Sequence, residues 1–132
     1  MAASKYDFSI EQGSSFRFSI IDKDTEGNII DISNYCARLI WTTNEGTVYT
    51  FSTDHTGTDY KFSIDGSNGQ ILLLLPASTT NNFHFNTAKY DLEIQSPNQL
   101  YVGGGYHTSR ILYGVITITK RYSLIPSILE CE

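Results

Sequence analysis

Apolar and polar residues alternate along much of this chain. At residues 14–21 the alternation is clean, with Phe16, Phe18 and Ile20 on one face and Ser15, Arg17 and Ser19 on the other. A repeat of two is that of an extended strand, so the segment predicts a strand with one dry and one wet face. Residues 69–75 read Gly-Gln-Ile-Leu-Leu-Leu-Leu and predict a strand buried on both faces, entered from the turn sequence Asp65-Gly66-Ser67-Asn68. Residues 89–96 return to alternation, with Tyr90, Leu92 and Ile94 on one side. Residues 110–120 are apolar on both faces around 111–118, which predicts a central or covered strand.

Shorter strand signals fall at residues 6–10, 29–32, 37–43, 47–52 and 60–64, separated by polar turns at close spacing. The acidic turn 22–28, in which Gly27 or Asn28 can take a positive φ, predicts a hairpin between 14–21 and 29–32. Asn44-Glu45-Gly46 predicts antiparallel pairing of 37–43 with 47–52. Hairpins are likewise expected for 60–64 with 69–75 and for 89–96 with 110–120, the latter across residues 97–105. The one helical signal is a short turn within 78–86, where Ser78 is a suitable N-cap and Phe83 and Phe85 can reach the core.

Strand after strand with few helix signals predicts an all-β fold, a single β-sandwich over residues 1–122. Residues 123–132 are set apart as a C-terminal arm, because Leu124, Ile125, Ile128 and Leu129 continue the apolar character beyond the last strand. These four residues are the expected contact with another subunit. Nine tyrosines and seven phenylalanines strengthen the β reading.

A formal charge of −5, with no basic cluster larger than Lys120-Arg121, argues against nucleic acid as a partner. No apolar stretch is long enough to span a membrane, and the first residues, Met1-Ala2-Ala3-Ser4-Lys5, lack the apolar core of a signal peptide. Folding in the cytoplasm, with Cys36 and Cys131 as free thiols, is the expectation.

Convergent chemistry is scarce. His55, His84 and His107 lack the spacings that bring metal ligands together. Asp22, Asp24, Glu26 and Gly27 resemble the first half of a calcium loop, but Ser33 stands where the closing bidentate acid belongs. Gly103-Gly104-Gly105 is followed by a strand signal rather than by the Lys-Ser/Thr and helix of a phosphate cradle. There is no Gly-x-Ser-x-Gly nucleophile elbow. The expectation is a non-enzyme without cofactor or metal. A hydrolase would need a histidine beside a carboxylate and a nucleophile in a cleft. A carbohydrate-binding module is the alternative of another class; it would need Trp41 exposed, or Tyr49, Tyr60, Tyr101 and Tyr106 clustered on one face.

The order of motifs adds a further reading. Gln12-Gly13 precedes a Phe-rich strand, and Asp24-x-x-Gly27-Asn28-x-Ile30-Asp31-Ile32-Ser33-Asn34-Tyr35 follows it. Asn68-Gly69-Gln70-Ile71, Ser78-Thr79-Thr80, Tyr90-Asp91-Leu92-Glu93 and Gly114-Val115-Ile116-Thr117-Ile118 come next. This order, over residues 12–120, resembles a family of small virion proteins of tailed bacteriophages. In that family the corresponding motifs read Gln-Gly, Asp-Gly-x-x-Ile-Asp-Leu-Thr-Gly-Tyr, Gly-x-Ile-x-Leu, Tyr-Asp-Leu-Glu and Gly-x-Val-x-Val. The resemblance implies an immunoglobulin-like, antiparallel β-sandwich acting as a tail or baseplate adaptor. Its partners would be copies of itself and other virion proteins, and capsid decoration or a neck position is the alternative within the particle. It implies a virion location after assembly in the host cytoplasm, and no catalytic residue. Ser33-Asn34-Tyr35 departs from the family's Thr-Gly-Tyr, and the arm lies outside the shared pattern.

Overall fold

A computed structural model of the chain describes residues 3–99 and 106–120. Among these residues nine strands form two packed sheets: β1 (Ser4–Lys5), β2 (Phe8–Glu11), β3 (Phe16–Ile21), β4 (Cys36–Thr43), β5 (Val48–Ser52), β6 (Lys61–Asp65), β7 (Gln70–Leu75), β8 (Thr87–Gln99) and β9 (Tyr106–Thr119). One sheet runs β1-β9-β8-β4-β5, with β2 also on β9, and the other runs β3-β7-β6. With β3 to β9 taken as strands B, C, C′, D, E, F and G, this is the G-F-C-C′ sheet facing B-E-D, the order of an immunoglobulin-like sandwich. The fold is therefore the expected all-β sandwich. Pairing is antiparallel except along β1 and β2, which run parallel to β9. The C-terminal arm, and with it Leu124, Ile125, Ile128 and Leu129, lies outside the described residues.

The core fills with the inward residues of both sheets. Trp41, Leu39, Leu92, Ile116, Ile71, Leu73 and Leu75 are fully or almost fully buried. Trp41 sits on the strand that carries the buried tryptophan of immunoglobulin domains, enclosed by Phe51, Phe83, Phe85 and Tyr49. Its Nε1 has no hydrogen-bond acceptor among the described residues. Phe83 and Phe85 reach the core as expected, but from irregular chain after a one-turn helix, α1 (Ala77–Thr80). That helix starts two residues earlier than an N-cap at Ser78 would place it. Pro76 holds the cap position, and Ser78 lies inside the helix.

Two strand expectations need correction. Residues 29–32 form no strand; a single bridge joins Lys23 and Ile29. The Ile30 and Ile32 amides donate separately, to the Asp22 and Gly66 carbonyls, so no ladder can propagate. Strand β7 is not buried on both faces. It is the centre of a three-stranded sheet, and Leu72 and Leu74 stay half exposed on the outer side. Strand β9 is likewise interior to its sheet, as predicted, with Ile111, Tyr113 and Val115 partly buried on its outer side. Its hairpin with β8 is longer than expected, reaches Gln99 and Tyr106, and shifts register at Leu92/Glu93 and across residues 96–98, where Pro97 has no donor to offer.

Tyr90 lies two residues before Leu92 on β8, the place of the tyrosine corner relative to the strand-F cysteine of antibody domains. Here Leu92 fills the cysteine's place. The Tyr90 hydroxyl donates to the backbone carbonyl of Tyr6 and so ties the N-terminal strand to the sandwich. Burial, with the Asp7 carboxylate and Tyr6 adding to it, pushes this hydroxyl well above the ordinary tyrosine range. The folded state thus holds the proton more tightly than the unfolded state. The associated stability is complete below about pH 10 and is lost as pH rises above it. Tyr90→Phe is expected to cost about 1 kcal/mol at neutral pH, with the gap to the parent closing in urea titrations above about pH 10. A gap that stays constant across the alkaline range would uncouple Tyr90 from folding.

Candidate functional site

The residues singled out for chemistry do not converge. Trp41 is 0% exposed, so it offers no platform for a sugar ring. Tyr49 and Tyr60 belong to the packed aromatic cluster, and the Tyr60 hydroxyl accepts a hydrogen bond from Ser52 N at 3.2 Å. Tyr101 lies outside the described residues. The three histidines stand on different elements. His84 is near Gln12, at 3.4 Å, and His107 Nε2 is 2.9 Å from the Ser109 hydroxyl. His55 stands beside a carboxylate, with Nε2 2.7 Å from Asp59 Oδ1 and its ring stacked 3.9 Å from Tyr60. No serine, threonine or cysteine bonds that ring among the described residues, so the pair lacks the nucleophile of a hydrolase. In the acidic turn, Asp24 Oδ1 accepts from the Glu26 and Asn28 amides, both at 2.9 Å. The carboxylate thus organises its own turn. No group of three metal-ligating side chains forms among the described residues.

What the fold does build is an open seam between its two sheets. Residues 12–15 carry the chain from β2 in one sheet to β3 in the other, so two strands that read as neighbours face each other across the sandwich. Because β1 and β2 both lie on β9, β3 pairs only with β7, and no strand covers its other edge among the described residues. A cleft of about 1110 Å³ opens there, lined by Tyr6, Phe8, Phe16, Phe18, Lys5 and Arg17 among others. Its walls are aromatic and mutually packed. Phe8 stacks on Phe16 at 5.4 Å and on Tyr6 at 6.0 Å, and lies 5.2 Å from Phe18 and 5.1 Å from Tyr90. Tyr6 is 51% exposed. An unpaired strand edge beside exposed aromatic surface can accept an added strand, with main-chain bonds supplying affinity and the rings supplying pockets.

Sequence reasoning found the alternation of Phe16 and Phe18 but not the cleft. The connection Gln12-Gly13-Ser14-Ser15 carries no local signal of which sheet follows it. Its tertiary bonds decide. Gly13 N donates to Thr80 Oγ1 at 3.1 Å, Thr80 Oγ1 donates to the Ser14 carbonyl at 2.8 Å, and Gln12 Nε2 reaches the Phe83 carbonyl at 2.9 Å.

No protein-family model matches the chain, and no curated protein matches it at a significant level. The resemblance to virion proteins accordingly stands on the order of the motifs, and those motifs meet in space. Gln12-Gly13 bonds to Thr80 and its neighbours. Gly69 packs so closely on residue 30 that a Cβ there would lie 2.6 Å from the Ile30 carbonyl oxygen. Asn34, where the family pattern has glycine, has φ of 65°. Asparagine tolerates this left-handed conformation better than other residues with a side chain, so the departure keeps the turn.

Proposed function

We propose that this chain is a structural component of a tailed-phage virion, a tail or baseplate adaptor that joins neighbouring subunits and has no catalytic role of its own. The observation that carries the reading is the β3 edge, which no strand covers among the described residues, above an aromatic cleft, in a sandwich whose motif order resembles such virion proteins. Open edges are hazards for a solitary domain but useful contacts in a symmetric assembly. The partners are copies of this chain and other structural proteins of the particle.

The test is peptide mass spectrometry on purified phage particles separated into capsid and tail fractions. Recovery with tails is the expected result. Recovery with capsids would move the role to decoration, and absence from both fractions would overturn the virion reading.

A further inference from the structure

We infer that the cleft between β2 and β3 receives residues 124–129 of a second copy of this chain, added as a strand along the open edge of β3. The inference deepens the assembly reading and rests on it for the requirement that copies meet. Three properties of the chain select this occupant. The first is length: Leu124–Leu129 is six residues, and β3 presents six, Phe16–Ile21. The second is chemistry. As a strand the arm places Leu124 and Ile128 on one face, apolar like the walls of Tyr6, Phe8 and Phe16, while Glu130 and Glu132 follow, opposite in charge to Lys5 and Arg17, which outnumber Asp7 at the cleft. The third is the position of Pro126, which a strand can hold only where its missing N–H faces away from the ladder. A strand added to β3 becomes the new edge and leaves one side free for it.

The arm belongs to a second copy because of how its own copy is connected. Strand β9 ends beside β2, with Thr119 paired to Glu11 and its carbonyl accepting from Gln12 N at 2.9 Å. Residues 12–15 then bridge the sheets across that same end of the cleft. A copy's own arm would have to cross this bridge to enter, and chain connections avoid such crossings. An arm arriving from a neighbour meets no such obstacle.

The experiment uses the full chain with a benzophenone amino acid in place of Tyr6, whose side chain is half exposed while its structural bonds use backbone atoms. Isotopically light and heavy proteins are mixed before irradiation, and cross-linked peptides are mapped by mass spectrometry. The expected result is a cross-link from position 6 to residues 124–129 in light–heavy pairs, lost in an Ile128→Asp variant whose melting temperature is unchanged. Cross-links to the arm within single chains only, to any other segment, or none at all, would overturn the inference. If they fail while the chain is still recovered with tails, the assembly role stands and uses another surface; absence from particles sinks that role separately.

Discussion

Replacing Trp41 with alanine is expected to remove about 3–5 kcal/mol of stability, a large share of what a domain of this size holds. Trp41 is fully buried at the centre of the aromatic cluster, with ring centroids 4.7 Å from Phe51 and 5.5 Å from Phe83. Its neighbours come from β5 and from the irregular segment after α1, so deleting the indole leaves a cavity between parts of the chain that have no common hydrogen-bond ladder. Trp41→Phe should be far milder. It keeps an aromatic ring in contact with Phe51 and removes the indole N–H, which is buried without an acceptor among the described residues. Relief of that donor, worth about 1–3 kcal/mol, offsets part of the lost volume. Urea unfolding followed by circular dichroism measures both variants, since the alanine protein carries no tryptophan to report fluorescence. An alanine variant within about 1 kcal/mol of the parent would mean that the site collapses around the deletion, and the tryptophan would then be no keystone of the core.

The legible part of the fold was the part dictated by local periodicity. Phe16, Phe18 and Ile20 alternate because one face of β3 is inside, and the same logic placed Tyr90, Leu92 and Ile94 in the core. Segment 69–75 misled because four leucines and an isoleucine look alike whether or not both faces are covered. Leu72 and Leu74 face outward from a small sheet that no helix overlies among the described residues. Segment 29–32 misled for another reason: Ile32 is fully buried, but its backbone is held by single bonds to separate partners rather than by a neighbouring strand. Burial is written in side chains, whereas pairing depends on where backbone groups find partners.

The cleft was illegible for a topological reason. Whether two adjacent strands pair or face each other across a sandwich depends on tertiary bonds such as those from Gly13 and Gln12 to Thr80 and Phe83, which lie about half a domain away in sequence. The apolar arm reads in the sequence as a contact without a receptor; the docking proposed above gives it one, the β3 edge that no strand covers among the described residues.

Gly114→Ala is expected to cost about 3 kcal/mol, the upper end of what overpacking does, and to loosen the N-terminal strand from β9. A Cβ at position 114 would lie 2.1 Å from the Tyr6 carbonyl oxygen and 2.7 Å from its carbon. These are backbone atoms, so no side-chain rotation relieves the overlap. The crossing is tightly bonded as well: Tyr6 N donates to the Tyr113 carbonyl at 2.8 Å, and Asp7 Oδ1 accepts from Val115 N at 2.8 Å. Displacing the strand would break both, along with the Tyr90 bond to Tyr6. Gly46→Ala is the matched control. Gly46 has φ of 88° and nothing within 4 Å of an added Cβ, so its variant carries only dihedral strain of about 1 kcal/mol. Equilibrium unfolding should rank Gly114→Ala clearly below Gly46→Ala, and amide exchange at Tyr6 and Val115 should accelerate in the former alone. Equal losses would show that β9 can shift to admit a methyl group. The ranking also bears on docking, because β2 forms one wall of the cleft: a loosened N-terminal strand should weaken cross-linking from position 6 to the arm of a neighbour.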